Sequence, residues 1–238
     1  MTKRTVQGIP TVRMALIGRL PETVPPPRVV ERRNAPANES IPQVLDDEHV
    51  MLPLPPWGRV VVASRGLAVL AQRLPRIWER LTPDGGLWLW ASPDEVHYVK
   101  VLADGLLGRQ RFMGEIVWAG PVGPRPGKGW PAGHRLLLWY ARNPRDYVFR
   151  EETVERIPYM APRLVGPTKA RRGKRPTDVW WAAHFPEPGT VPQPPAGFWR
   201  RLVVVHTFPG DAVLVWHPPK GLESALKALG RVPIPFSD

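Results

Sequence analysis

Cysteine is absent from the 238 residues, which excludes disulfide bridges, thiolate metal sites and any mechanism built on a cysteine nucleophile. Apolar runs of membrane-spanning length are missing as well. The stretch from Met14 to Leu20 is short and is broken by Gly18 and Arg19, whereas a span needs about 20 apolar residues. No signal peptide or membrane anchor is read from the sequence, so a cytoplasmic protein is expected. The histidines His97, His134, His184, His206 and His217 do not fall into metal-ligand spacing, and no metal is expected. Acidic residues are scarce against basic ones. The 33 Lys and Arg outnumber 21 Asp and Glu, giving a net charge of +12 and an isoelectric point near 10.8. That balance favours a polyanionic partner, nucleic acid first. Asn and Gln are few, arginine dominates the basic residues and there are 32 prolines, a composition that fits a heat-adapted source or a GC-rich genome.

What is present is enough apolar residue, 43%, for one α/β domain with a full core. Residues 1–45 read as a basic, Pro-rich arm, because the segment 20–40 offers little to bury. Residues 46–238 read as the folded domain. Strands are expected near 59–63, 87–91, 115–119, 135–141 and 211–216 from their short apolar runs. Between them, Leu67, Leu70, Ala71, Leu74, Ile77, Trp78 and Leu81 recur at helical spacing, with Pro75 expected to kink that helix. Residues 82–86 read as a turn. A second helix over 92–108 opens on Ser92, Pro93 and Glu95 with capping-box chemistry and closes at Gly108. Residues 200–206, RRLVVVH, are β-branched yet lie where a helix over 196–206 is expected, and a last helix covers 222–229. Strands alternating with helices give a mixed α/β sheet covered on both faces.

The order of these pieces resembles the DNA amino-methyltransferases that modify cytosine N4 or adenine N6. The likeness is to their permuted (beta) class, in which the catalytic motif precedes the cofactor motif. It is carried by LTPDGGLWLWASPDEVHYVKVLADGLLGRQRFMGEIVW (81–118), HRLLLWYARNPRDYVF (134–149), KRPTDVWW (174–181) and RRLVVVHTFPGDAVL (200–214). Together they span roughly 48–238 in consistent order. The resemblance implies a Rossmann-like methyltransferase sheet, S-adenosylmethionine as cofactor and DNA as substrate.

The departures fall where that chemistry should be. The family's catalytic tetrapeptide has a polar residue, two prolines and an aromatic, which hold the target amine and stack on a flipped base. One reading puts it at Leu54, Pro55, Pro56 and Trp57, which keeps the prolines and the ring but loses the polar group. The other, preferred because the motif lies at a strand end, puts it at Ser64, Arg65, Gly66 and Leu67 after the strand 60–63. The family's glycine-rich cofactor loop, aligned on Pro209-Gly210-Asp211, falls on Val215 to Gly221. There His217 replaces Phe, Pro219 replaces the first glycine, and Gly221 alone survives. The residue implied to bind the cofactor ribose falls at Ser237-Asp238, and the segment implied to lie near the methionine end of the cofactor is Pro192-Gln193-Pro194-Pro195.

Scaffold retained with both motifs eroded points to a catalytically inactive, methyltransferase-like protein that binds no cofactor. Its expected partner is nucleic acid, DNA favoured, with a partner subunit or a second copy as further candidates. The alternative is an active, divergent amino-methyltransferase that uses Ser64 or a backbone carbonyl with S-adenosylmethionine. The residues read as contacting nucleic acid lie in two loops, 120–133 and 150–178. They are Arg125, Lys128 and Trp130 in the first, and Lys169, Arg171, Arg172, Lys174 and Arg175 in the second. The cations would neutralise phosphates and the indole would stack on a base.

Overall fold

The computed structural model describes residues 11–18, 28–33, 42–54, 58–63, 65–121, 127–191 and 193–237. In chain order the strands and α-helices are β1 (Val12–Ile17), β2 (Arg28–Arg33), β3 (Gln43–Val44), β4 (His49–Leu54), β5 (Gly58–Ala63), α1 (Arg65–Glu79), β6 (Leu81–Ala91), α2 (Val96–Ala103), β7 (Phe112–Ala119), β8 (His134–Ala141), α3 (Pro167–Arg172), β9 (Val179–Trp181), α4 (Ala196–His206), β10 (Ala212–Trp216), α5 (Leu222–Ala228) and β11 (Val232–Pro235). Seven strands form one sheet in the order β11-β10-β1-β6-β8-β7-β9, and β2-β5-β4-β3 form a separate antiparallel sheet. In the large sheet β8 runs antiparallel to β6 and β7, and every other neighbouring pair is parallel.

Successive strand residues point to opposite faces, and the sequence supplies an apolar set for each. Ala15, Ile17, Leu87, Leu89, Leu214 and Trp216 pack with the buried sides of α1 and α2. Met14, Leu16, Trp88, Trp90, Val213 and Val215 pack on the other face with Phe198, Trp199, Leu202 and Val203 of α4 and with Leu222, Ala225 and Leu226 of α5. Residues 200–206 are helical, as expected. The β-branched penalty is a few tenths of a kcal/mol per residue, less than the gain from burying Leu202, Val203 and Val205. The fold is thus an α/β, Rossmann-like sheet with helices on both faces.

Several expectations are corrected. Residues 12–17 do not belong to an arm. They form the strand between β10 and β6, with five of the six buried. The apolar run is short, and the neighbouring proline-rich composition hid it. The strand expected at 59–63 exists, but its partners are β2 and β4 in the smaller sheet. Strand β6 begins at Leu81 and carries Thr82 to Gly86 within it, where a turn was expected. Helix α2 starts at Val96, and Ser92 Oγ donates to the Glu95 carboxylate at 2.9 Å instead of capping backbone. The α-helix gives way to a wider π turn over Asp104–Gly108. Strand β11 was not foreseen, since Val232-Pro-Ile-Pro235 carries two prolines. An edge position tolerates them because the outer side of the strand needs no donor.

Candidate functional site

The site is fixed by how the chain leaves two adjacent parallel strands. From β10 it passes to α5 on one face and outward to β11, while α1, which leads into β6, covers the opposite face. The strand order therefore reverses between β10 and β1. In open α/β sheets ligands bind at that reversal, outside the carboxyl ends of the strands. The residues there are Ile17 and Gly18 from β1, and Trp216 to Gly221 after β10.

At this point the two strand ends lie close against one another. Gly18 N–H donates to the Trp216 carbonyl at 2.8 Å. A Cβ on Gly18 would lie 1.6 Å from the His217 carbonyl oxygen and 3.1 Å from Pro219 Cδ. The space that glycine leaves open is filled by the facing loop. His217 holds φ at +47°, alone among described non-glycine residues in that region, and its ring lies against Trp216 with centroids 5.1 Å apart. Phe236 closes on Trp216 from β11, and its N–H donates to the Val215 carbonyl at 2.9 Å. Pro218 and Pro219 contribute no N–H. Gly221, at φ +86°, serves as the turn into α5. A nucleoside cofactor needs open volume and free amides at this turn, and the two prolines reduce the amides on offer.

Both readings of the catalytic tetrapeptide fall beside strands of the small sheet. Leu54 ends β4 of the small sheet, and Pro55, Pro56 and Trp57 lie outside the described residues, as does Ser64. Arg65, Gly66 and Leu67 form the first turn of α1, with Gly66 and Leu67 buried. The strand before them belongs to the small sheet, so neither stretch follows a strand beside β10. That position belongs to Gly18 and the residues after it, of which 19–27 lie outside the described residues. Sequence reading missed β1. Its signal was the apolar VRMALI closed by a glycine, too short for a membrane span but long enough for a strand.

The cationic residues are separated. Lys128 and Trp130 lie exposed in the loop after β7, Trp130 at 96%, while Arg125 lies outside the described residues. Lys169, Arg171 and Arg172 stand exposed on α3, and among the described residues none forms an ion pair. Arg175 pairs with Glu151, and the backbones of Lys174 and Ile157 bond to one another. Because β9 runs parallel to β7, residues 173–178 enter from the amino end of the sheet, whereas 120–121 and 127–133 lie at its carboxyl end. The fold thus brings the α3 cations together but sets Lys128 and Trp130 at the opposite end. Asp178 is exposed and its carbonyl accepts from Val117 N–H at 2.8 Å, a turn role. Among the described residues no three His, Asp or Glu are gathered to hold a metal. No described helix is long and apolar enough to cross a membrane.

No family model matches the chain, and no curated protein does. Solved structures do match. The chain is similar to the PvuII DNA methyltransferase (cytosine-N4-specific), with a TM-score of 0.53, 11% identity, 97% of this chain covered and 77% of that one. It is also similar to M1.HpyAVI in complex with SAM, with a TM-score of 0.52, 16% identity, and coverage of 95% and 81%. At these identities the likeness speaks to the fold. The chain has a DNA amino-methyltransferase-like fold.

Proposed function

We propose that this protein keeps the amino-methyltransferase fold without methyl transfer, and uses its cationic surface to hold nucleic acid, DNA in the first place. The observation that supports the first half is the close approach of Gly18 to the His217 carbonyl at the turn where the family binds its cofactor. The second half is supported by the net charge of +12 and by the unpaired, exposed cations of α3. A helix end crowded with cations suits phosphate contacts that are independent of base identity.

The test is binding to duplex and single-stranded DNA and RNA over a range of salt. If the α3 cations neutralise phosphates, log affinity falls linearly with log salt, at about −0.9 per phosphate contacted on duplex. Failure of every nucleic acid at low salt removes this half of the proposal. A partner subunit or second copy would then be the occupant of the basic face, read out by solution mass. DNA methylation dependent on S-adenosylmethionine would remove the other half and restore an active enzyme.

A further inference from the structure

At the amino end of the large sheet, away from the β10–β1 reversal, α4 and residues 149–154 and 176–180 enclose a cavity of about 490 Å³, within the range of small-molecule sites. Its walls are aromatic. Trp88 and Trp139 stack with centroids 5.2 Å apart and planes 7° from parallel. Phe149 extends the stack from Trp139 at 6.0 Å, and His206 lies edge-on to both indoles at 4.9 and 4.8 Å. Phe149, Thr177, Asp178 and Glu115 are exposed at the rim, whereas Trp88, Trp180, Arg201 and His206 are buried.

Arg201 sets this cavity apart. The residue is 4% exposed, and its Nε and Nη1 have no hydrogen-bond acceptor. Its nearest carboxylate is Glu155, 3.8 Å from Nη2 and itself largely exposed. The faces of Trp180 and Phe185 lie 5.0 and 4.3 Å from the guanidinium carbon; they hold the cation in place but accept no hydrogen bond. Arg231 shows what a structural buried arginine looks like in the same protein. Its Nε donates to Thr207 Oγ1 at 3.0 Å, its Nη2 to the Thr207 carbonyl at 2.8 Å and its Nη1 to the Leu229 carbonyl at 2.5 Å. Buried donors without acceptors are expensive, and here a cation with one distant carboxylate and two unmet N–H groups lines a cavity that could admit an acceptor.

We infer that this cavity is a binding site for a small planar aromatic carboxylate, whose ring lies against the Trp139–Phe149 wall and whose carboxylate meets Arg201. A single negative charge matches the single internal cation. The rim acids Glu115 and Asp178 disfavour a phosphate dianion. Burial holds His206 neutral, so it adds no second cation. The inference is independent of whether the β10–β1 crevice binds a cofactor or the α3 surface binds nucleic acid.

The test titrates the full chain with indole-3-acetate, indole-3-acetamide and indole-3-ethyl phosphate, read by calorimetry and by quenching of tryptophan fluorescence. Saturable binding of the acid, at least tenfold tighter than the amide and the phosphate, is the expected result. Arg201→Met should weaken the acid at least tenfold and leave the amide unchanged. Thr177→Trp at the exposed rim should block entry without touching Arg201, and it decides the matter should Arg201→Met not fold. Equal affinity for acid and amide, or no binding of either, would show that the aromatic faces alone satisfy Arg201 and would overturn the inference. Tighter binding of the phosphate would overturn the assignment of the charge.

Discussion

The two ends of the large sheet have been treated in opposite ways. At the carboxyl ends of β1 and β10, where the topology opens a crevice, backbone meets backbone: Gly18 sits against the His217 carbonyl and Pro219. At the amino ends, where the topology offers nothing in particular, about 490 Å³ is left open beside a buried Arg201 whose Nε and Nη1 find no acceptor. A fold specifies where a site is easiest to build, while loops and side chains decide whether one is present. Here two prolines and a close glycine contact stand at the place the fold offers, while α4 and its aromatic neighbours leave a cavity at the other end.

The largest effect should come from breaking the open end. Phe198 is fully buried and touches Trp90, Trp118, Trp180, Phe185 and Trp199, so it anchors the helix that carries Arg201. Phe198→Ala should cost about 3–5 kcal/mol, seen as a lower denaturant midpoint at unchanged slope. A change below about 1 kcal/mol would show that α4 is held otherwise.

His206, in the same wall, gives a pH dependence. Burial drives its pKa down from 6.5 to about 4, only partly offset by the hydrogen bond between its Nδ1 and the Val148 carbonyl, 3.0 Å away. The unfolded chain binds that proton first, so the favourable contribution of neutral His206 is fully present above pH 6.5 and is lost as pH falls toward 4. The loss amounts to about 3 kcal/mol. Unfolding free energies between pH 7.5 and 4.5 should fall more steeply for the parent than for His206→Phe. Parallel curves would mean the histidine is hydrated.

The closed end is tested by Gly18→Ala. The added methyl must displace the His217 carbonyl, which belongs to backbone, and should cost about 1–3 kcal/mol. Thermal melting checks this, and an unchanged melting temperature would show the crevice to be roomier than described. The smallest effect on stability belongs to the α3 surface. Replacing Lys169, Arg171 and Arg172 with Ala should leave melting within about 0.5 kcal/mol of the parent, while flattening the salt dependence of DNA binding by up to about 0.9 per lost contact.

The sequence carried the mixed sheet, its strands at 87–91, 115–119, 135–141 and 211–216, and the helix at 196–206. In these segments periodicity, turn residues and motif order agreed. It did not carry which strand lies beside β10. RVVVA and VRMALI are both short apolar runs, and nothing local distinguishes a strand of the large sheet from one in a four-stranded insertion. That choice rests on pairing between residues far apart in the chain, Met14 with Val213 and Leu16 with Val215. The loss of amides in the loop after β10 was legible, because proline removes an amide wherever it stands. The collapse of Gly18 onto that loop was not, since it joins segments about two hundred residues apart. Arg201 was hidden for a related reason: within FWRRLVVVH nothing separates the buried arginine from exposed Arg200.

The central claim, that the crevice offered by the fold is closed, is tested most directly by calorimetric titration of the full chain with S-adenosylmethionine. No heat of binding is expected up to millimolar concentration, meaning an affinity weaker than about −4 kcal/mol. Saturable, one-to-one binding with a micromolar dissociation constant, about −8 kcal/mol, would show that Gly18, His217 and Pro219 move apart, and would contradict the account.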